Sequence, residues 1–167
     1  IANHSIREEH PEAHARFDTL CLTYEYHIND IKAPMKPGLS YRLYHPLEIK
    51  TMNTAASILL EYKDFECFSK SNTDVKTFFC EITQAEWKKN RNGLVFTISA
   101  NRFLRNMVRA IVGTLIEVGL AKKNSDQIHQ IIQSKNRSLA GYSVPAEGLF
   151  LTQIDYPNSI YLEHGAG

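Results

Sequence analysis

No stretch of this 167-residue sequence approaches the ~20 consecutive apolar residues that a membrane-spanning helix needs. The first residues also lack the basic region and apolar run of a secretory signal. Cysteine is scarce. Cys21, Cys67 and Cys80 stand far apart without a C-x-x-C pair, which excludes a disulfide framework and predicts reduced thiols packed in apolar surroundings. His10 and His14 are four apart in HPEAH, but the H-E-x-x-H motif is missing and Pro11 opposes a helix, so no metal site is expected. The lack of a G-x-S-x-G elbow argues against a serine hydrolase. An excess of one sign of charge is nearly absent, with 19 Lys and Arg against 18 Asp and Glu and a net charge of +1. That excludes a protein that coats nucleic acid by bulk charge, and leaves RNA binding by basic clusters on one face. There is no repeat, low-complexity tract or interdomain linker. One soluble cytoplasmic domain, without membrane contact, is the expectation.

What is present is an alternation of strand and helix patterns. Leu20 to Ile28 reads as a strand, with Leu22, Tyr24, Tyr26 and Ile28 on one face. Tyr41 to Tyr44 suggests a short extended piece, and residues 64–74 a polar loop around Phe65 and Phe68. Pro46 precedes a helix over 47–60, in which Ile49, Met52, Ala56 and Leu59 recur at helical spacing. Two strands, 77–87 and 94–100, flank a turn at 88–93 that contains Asn92-Gly93. The strongest helix pattern spans 103–120, with Gly119 as its terminator. A further helix begins at a cap on Asn124 or Ser125, and Leu149 to Ile154 makes a last strand, apolar on both faces as if covered on each side. This order predicts an α+β fold, a mixed or mostly antiparallel sheet with helices packed on one face. Residues 158–167 read as a tail. Leu162-Glu163-His164 there resembles a cloning remnant, although Gly165-Ala166-Gly167 does not continue as a usual tag.

Two basic groups are candidates for phosphate contact. Lys88, Lys89 and Arg91 surround the predicted turn, and Arg102, Arg105 and Arg109 lie on the 103–120 segment. At 100° per residue Arg102, Asn106, Arg109 and Gly113 share one stripe opposite the apolar face. A solvated helix face explains such a stripe, except that a mid-helix glycine costs about 1 kcal/mol. Gly113, with Ala110 near it, would let another segment come close and reach the Arg109 guanidinium, which could also hold a carboxylate bidentately. Tyr24 and Tyr26 suit either a half-buried strand or a pocket for a flipped base.

Three segments in order carry a resemblance. His14-Ala15-Arg16-Phe17 leads to Tyr24-Glu25-Tyr26. Asn101-Arg102-Phe103-Leu104-Arg105-Asn106-Met107-Val108-Arg109-Ala110-Ile111-Val112-Gly113 follows, then Val144-Pro145-Ala146-Glu147-Gly148-Leu149-Phe150-Leu151. Together they resemble the C-terminal part of the tRNA pseudouridine synthase A family, and residues 1–157 are expected to form that domain. The resemblance implies isomerisation of uridine at positions 38, 39 and 40 of the tRNA anticodon arm by a cofactor-free homodimer. It implies that Tyr24 packs on the target base and is a candidate to take the C5 proton, and that Arg109 pairs with the catalytic aspartate. Arg16 would serve RNA binding or support the site. The family's aspartate lies in an R-T-D-A-G-V-H-A block before HARF, and the sequence holds no such block. Pseudouridine formation by these residues alone is therefore not expected, because nucleophilic catalysis needs the positioned carboxylate. Leu22, Thr23 and Glu25 replace basic residues of the family around the first tyrosine. The alternative is a non-catalytic RNA-binding module built on the same basic groups.

Overall fold

The computed structural model describes Pro11 and residues 19–29, 40–70 and 75–160. The expectations on His10, His14 and Arg16 lie outside these residues. Five strands form one mixed sheet: β1 (Cys21–Asn29), β2 (Tyr41–Arg42), β3 (Ile82–Asn90), β4 (Gly93–Ala100) and β5 (Leu149–Asp155). Three helices accompany it: α1 (Ile49–Ile58), α2 (Met107–Gly119) and α3 (Gln127–Ser134). This is the expected α+β arrangement. β1 runs antiparallel to β4 along Leu22 to Asn29, and β4 antiparallel to β3. The other edge of β1 takes β5 antiparallel over Cys21 to Tyr26, then β2 in parallel at Ile28 and Asn29.

Alternation sets the faces. Tyr26 and Ile28 of β1 pair with Phe96 and Leu94 of β4, and Tyr26, Ile28, Phe96, Ile98 and Ala100 are buried in the core with the helices. The opposite face is polar: Thr23 shares a 2.8 Å hydrogen bond with Ser99, and Glu25 meets His27 at 2.9 Å. β5 corrects an expectation. It pairs with β1 alone among the described strands, so it is an edge, and Leu151 and Ile154 are 45% and 39% exposed. Its two-faced apolar pattern therefore does not signal cover on each side.

The helix boundaries also shift. α1 starts at Ile49, where the Glu48 side chain accepts from the Lys50 amide, and its last turn tightens into a 3₁₀ turn at Leu59–Glu61. The first hairpin strand begins at Ile82 and runs on through Lys88 and Lys89, so the turn is only Arg91-Asn92 and Gly93 (φ 143°) takes the backbone bend after it. α2 starts four residues later than its pattern suggests. Asn106 adopts a left-handed conformation (φ 70°), which a helix cannot pass through. Arg102, Arg105 and Asn106 therefore precede the helix instead of sharing its stripe. The idea of a wet face fails as well: every α2 residue except Arg109 and Glu117 is buried. At its end Ala121 (φ 56°) turns the chain, while Gly119 leaves room for Met52, whose sulfur would lie 2.5 Å from an added Cβ. α3 is capped reciprocally, with Asn124 accepting from the Gln127 amide and the Gln127 side chain accepting from the Asn124 amide.

Cys67 and Cys80 are buried as expected, whereas Cys21 is half-exposed at the start of β1. Burial pushes the Cys67 thiol up to about 12, with the Asp64 carboxylate adding to the rise. Burial likewise raises the Cys80 thiol and the Tyr26 phenol. In the unfolded chain thiols and phenols ionise near about 8.5 and about 10. Above those values the unfolded chain releases protons that the folded chain keeps. Stability is thus full below the unfolded values and falls as pH rises toward the folded ones. Urea midpoints should hold up to about pH 8 and decline from there to about pH 10.5, and a flat profile would contradict the buried ionisable groups.

Candidate active site

A groove of about 950 Å³ opens between the middle of β1 and the start of α2. Tyr24, Lys70, Phe103 to Arg109, Arg137 and Leu149 line it. Four of these are cations, Lys70, Arg105, Arg109 and Arg137, and none is Asp or Glu. A nearly neutral chain thus concentrates positive charge in one concavity, where low-dielectric walls focus the field on an anionic ligand.

Tyr24 stands on the core side of β1, half-buried, its ring edge-on to Phe103 at 5.3 Å between centroids. Among the described residues its hydroxyl takes no hydrogen-bond partner, so the phenol is available to a ligand in the groove. Tyr26, two residues on, is buried and structural: its hydroxyl donates to the Pro145 carbonyl at 2.7 Å. The two tyrosines share a strand face but serve different ends.

Arg109 sits in the first turn of α2, half-buried. Its Nε donates to the Val144 carbonyl at 2.6 Å, and the Val144 amide donates back to the Arg109 carbonyl at 3.2 Å. This reciprocal link fixes the side chain by one edge. Nη1 and Nη2 take no partner among the described residues, which leaves the bidentate edge of the guanidinium for an acceptor in the groove. The segment carrying Val144 approaches because the expected close contact exists. A Cβ on Gly113 would fall on the Tyr142 carbonyl, and one on Gly141 would lie 2.7 Å from the Thr114 Cα. Thr114 Oγ1 adds an acceptor for the Gly141 amide at 2.8 Å.

The other predicted residues divide. Arg105 lines the groove and is exposed; Arg102 lies just before α2 but outside the lining. Lys88, Lys89 and Arg91 are exposed at the β3–β4 hairpin, where Lys88 meets Glu86 at 2.9 Å. The hairpin tip is level with Asn29, five residues from Tyr24 along β1, or roughly 17 Å at a strand's rise. The structure does not bring that basic group to the groove. Two groove cations escaped the reading of the sequence. Lys70 follows a 3₁₀ turn at Glu66–Phe68, and Arg137 lies in the loop after α3. No feature of the sequence marked Arg137; Gly141, four residues on, shows itself as the partner of the mid-helix Gly113 only in the fold.

Comparison with known proteins gives the same direction. A family model described as tRNA pseudouridine synthase matches residues 55–157. The tRNA pseudouridine synthase A of Bacteroides fragilis is 48% identical over 162 residues, which cover 96% of this chain and 64% of that protein. The protein of the same name in Bacteroides thetaiotaomicron is 46% identical, with 98% of this chain and 62% of that protein covered. The tRNA pseudouridine synthase A 2 of Clostridium tetani is 39% identical, with 89% and 61% covered. The chain thus spans less than two thirds of the length of these relatives. With its groove, its half-anchored arginine and this match over most of its length, the chain belongs to the tRNA pseudouridine synthase family.

Proposed function

We propose that the groove between β1 and α2 receives a uridine of the tRNA anticodon arm, at positions 38 to 40, and is part of a cytoplasmic, homodimeric enzyme that converts it to pseudouridine. The observation that carries this reading is the shared groove: the free edge of Arg109 and the free hydroxyl of Tyr24 open into one concavity with no acid in its lining. The reaction breaks the uracil N1–C1′ bond and forms a C5–C1′ bond; C5 gives up its proton and the freed N1 takes one up, so nothing is gained or lost overall. Arg109 presents Nη1 and Nη2 to the nucleophilic carboxylate, holds it ionised and orients it. The described lining of the groove holds no carboxylate, and the sequence holds no R-T-D-A-G-V-H-A block, so the 167 residues alone are expected to form no pseudouridine. Tyr24 packs on the base and receives the C5 proton, directly or through water. Lys70 and Arg105, and the more distant Lys88, Lys89 and Arg91, meet phosphates along the RNA.

The test is genetic. Deleting the gene that encodes this chain should abolish pseudouridine at positions 38 to 40 of the host's tRNAs, and an unchanged modification map would overturn the proposal. Within the enzyme, Tyr24→Phe keeps the ring and removes the hydroxyl. Single-turnover rate should fall by about a hundredfold or more with tRNA affinity nearly unchanged. Equal losses in binding and rate would mark the tyrosine as structural.

A further inference from the structure

We propose that Arg137 is a positioning residue for Arg109, acting through the turn at Ser143–Val144. The side chain is half-buried and meets no carboxylate among the described residues; its partners are neutral acceptors. Nη1 donates to the Gly141 carbonyl at 3.0 Å and Nη2 to Ser143 Oγ at 2.9 Å. The same Ser143 oxygen accepts from Asn106 Nδ2 at 2.6 Å. Two donors, from Asn106 and Arg137, thus fix Ser143. The next residue, Val144, is the one bonded twice to Arg109.

The division of labour within the loop gives Arg137 its role. The Gly113–Gly141 contact and the Thr114–Gly141 hydrogen bond already seat the part of the loop around Gly141 and Tyr142 on α2. Ser143 lies beyond these two contacts, and the Arg137 fork spans from the seated part, at Gly141, to Ser143, the residue before the buried Val144. The left-handed Asn106 fits this account, since that backbone aims its amide at Ser143. A planar guanidinium meets both acceptors in one geometry, which an ammonium on a flexible stem does not reproduce. Because Arg137 also lines the groove, a phosphate contact is the competing role, and Arg137→Lys separates the two. Lysine keeps a phosphate contact and loses the fork.

The decisive experiment needs no turnover. In the 167-residue chain, the Nε–H proton of Arg109 is followed by nitrogen-resolved NMR in wild type and Arg137→Lys. Its exchange with water should quicken by about tenfold in the variant, while α2 and β4 amides keep their protection. Unchanged Arg109 exchange overturns the proposal. Should Arg137→Lys fail to fold, Ser143→Ala, which removes only the shared acceptor, is expected to quicken the same proton, and its failure to do so counts equally against the proposal. A kinetic arm rests on the function proposed above. In the enzyme, Arg137→Lys should lower kcat by about tenfold with KM for tRNA within about twofold, whereas wild-type kcat and KM in Arg137→Lys, with a raised KM in Arg137→Ala, would overturn the proposal and assign Arg137 to phosphate binding. If the wild-type enzyme makes no pseudouridine, the functional reading fails while the NMR arm still decides the role of Arg137.

Discussion

In the role proposed for it, Arg109→Ala in the enzyme that carries this chain should lower the single-turnover rate of pseudouridine formation by about a thousandfold, because a partly buried carboxylate deprived of its counter-charge would lose several kcal/mol. The truncation removes three things at once: the charge, the bidentate edge at Nη1 and Nη2, and the Nε bond that ties α2 to the Val144 carbonyl. Arg109→Lys separates them. It keeps a charge on one point, has no Nε and no planar edge, and should recover only a small part of the lost rate. Affinity for tRNA should change little in either variant, since the proposed phosphate contacts involve several other cations. A rate within about threefold of wild type in Arg109→Ala would remove this guanidinium from the chemistry.

Gly113→Ala should be the most destabilising added methyl among the described glycines. Judged by helix propensity, alanine would gain about 1 kcal/mol over glycine at a mid-helix position. Packing reverses the sign. The new Cβ would fall on the Tyr142 carbonyl oxygen and 2.9 Å from its carbon, and backbone on the far side cannot swing away as a flexible side chain would. Gly141 faces the mirror problem against Thr114. The loop must lift, and with it go the Thr114–Gly141 bond and the seat of Val144 on Arg109. Overpacking of this kind costs about 3 kcal/mol or more, so the clash outweighs the propensity gain. The melting temperature should fall by roughly 6–12 °C for a chain of this size. A variant that melts within about a degree of wild type would show that the loop does not lie against α2 as described.

The sequence disclosed the parts of this site that are local. Gly113 inside a strong helix pattern was odd enough to predict a close neighbour, and Arg109 one turn before it fell within that neighbour's reach. Tyr24 stood on a strand whose alternation was plain. What escaped was set by tertiary contact. The helix pattern ran back to Phe103 because Leu104, Met107 and Val108 are all core residues at helical spacing. The break comes from Asn106, whose left-handed backbone sends its amide across to a serine 37 residues away. Arg137 and Lys70 lie in loops with no periodicity, and only the folded chain carries them to the groove. The hairpin cluster was the opposite case. Lys88, Lys89 and Arg91 were conspicuous in sequence, yet pairing register sets them well along the sheet from Tyr24. The two-sided apolar pattern of β5 misled for another reason, since an edge strand can expose leucine and isoleucine on one face.

The central claim is that one groove, between Tyr24 and the free edge of Arg109, is where RNA engages this chain. Titrating the chain with an anticodon stem-loop RNA while recording NMR signals of the tyrosine rings and arginine side chains tests it directly. The account predicts that the signals of Tyr24, Arg105, Arg109 and Arg137 shift together and saturate at one RNA concentration. Shifts confined to the Lys88–Arg91 hairpin, with Tyr24 and Arg109 unmoved at saturation, would contradict it.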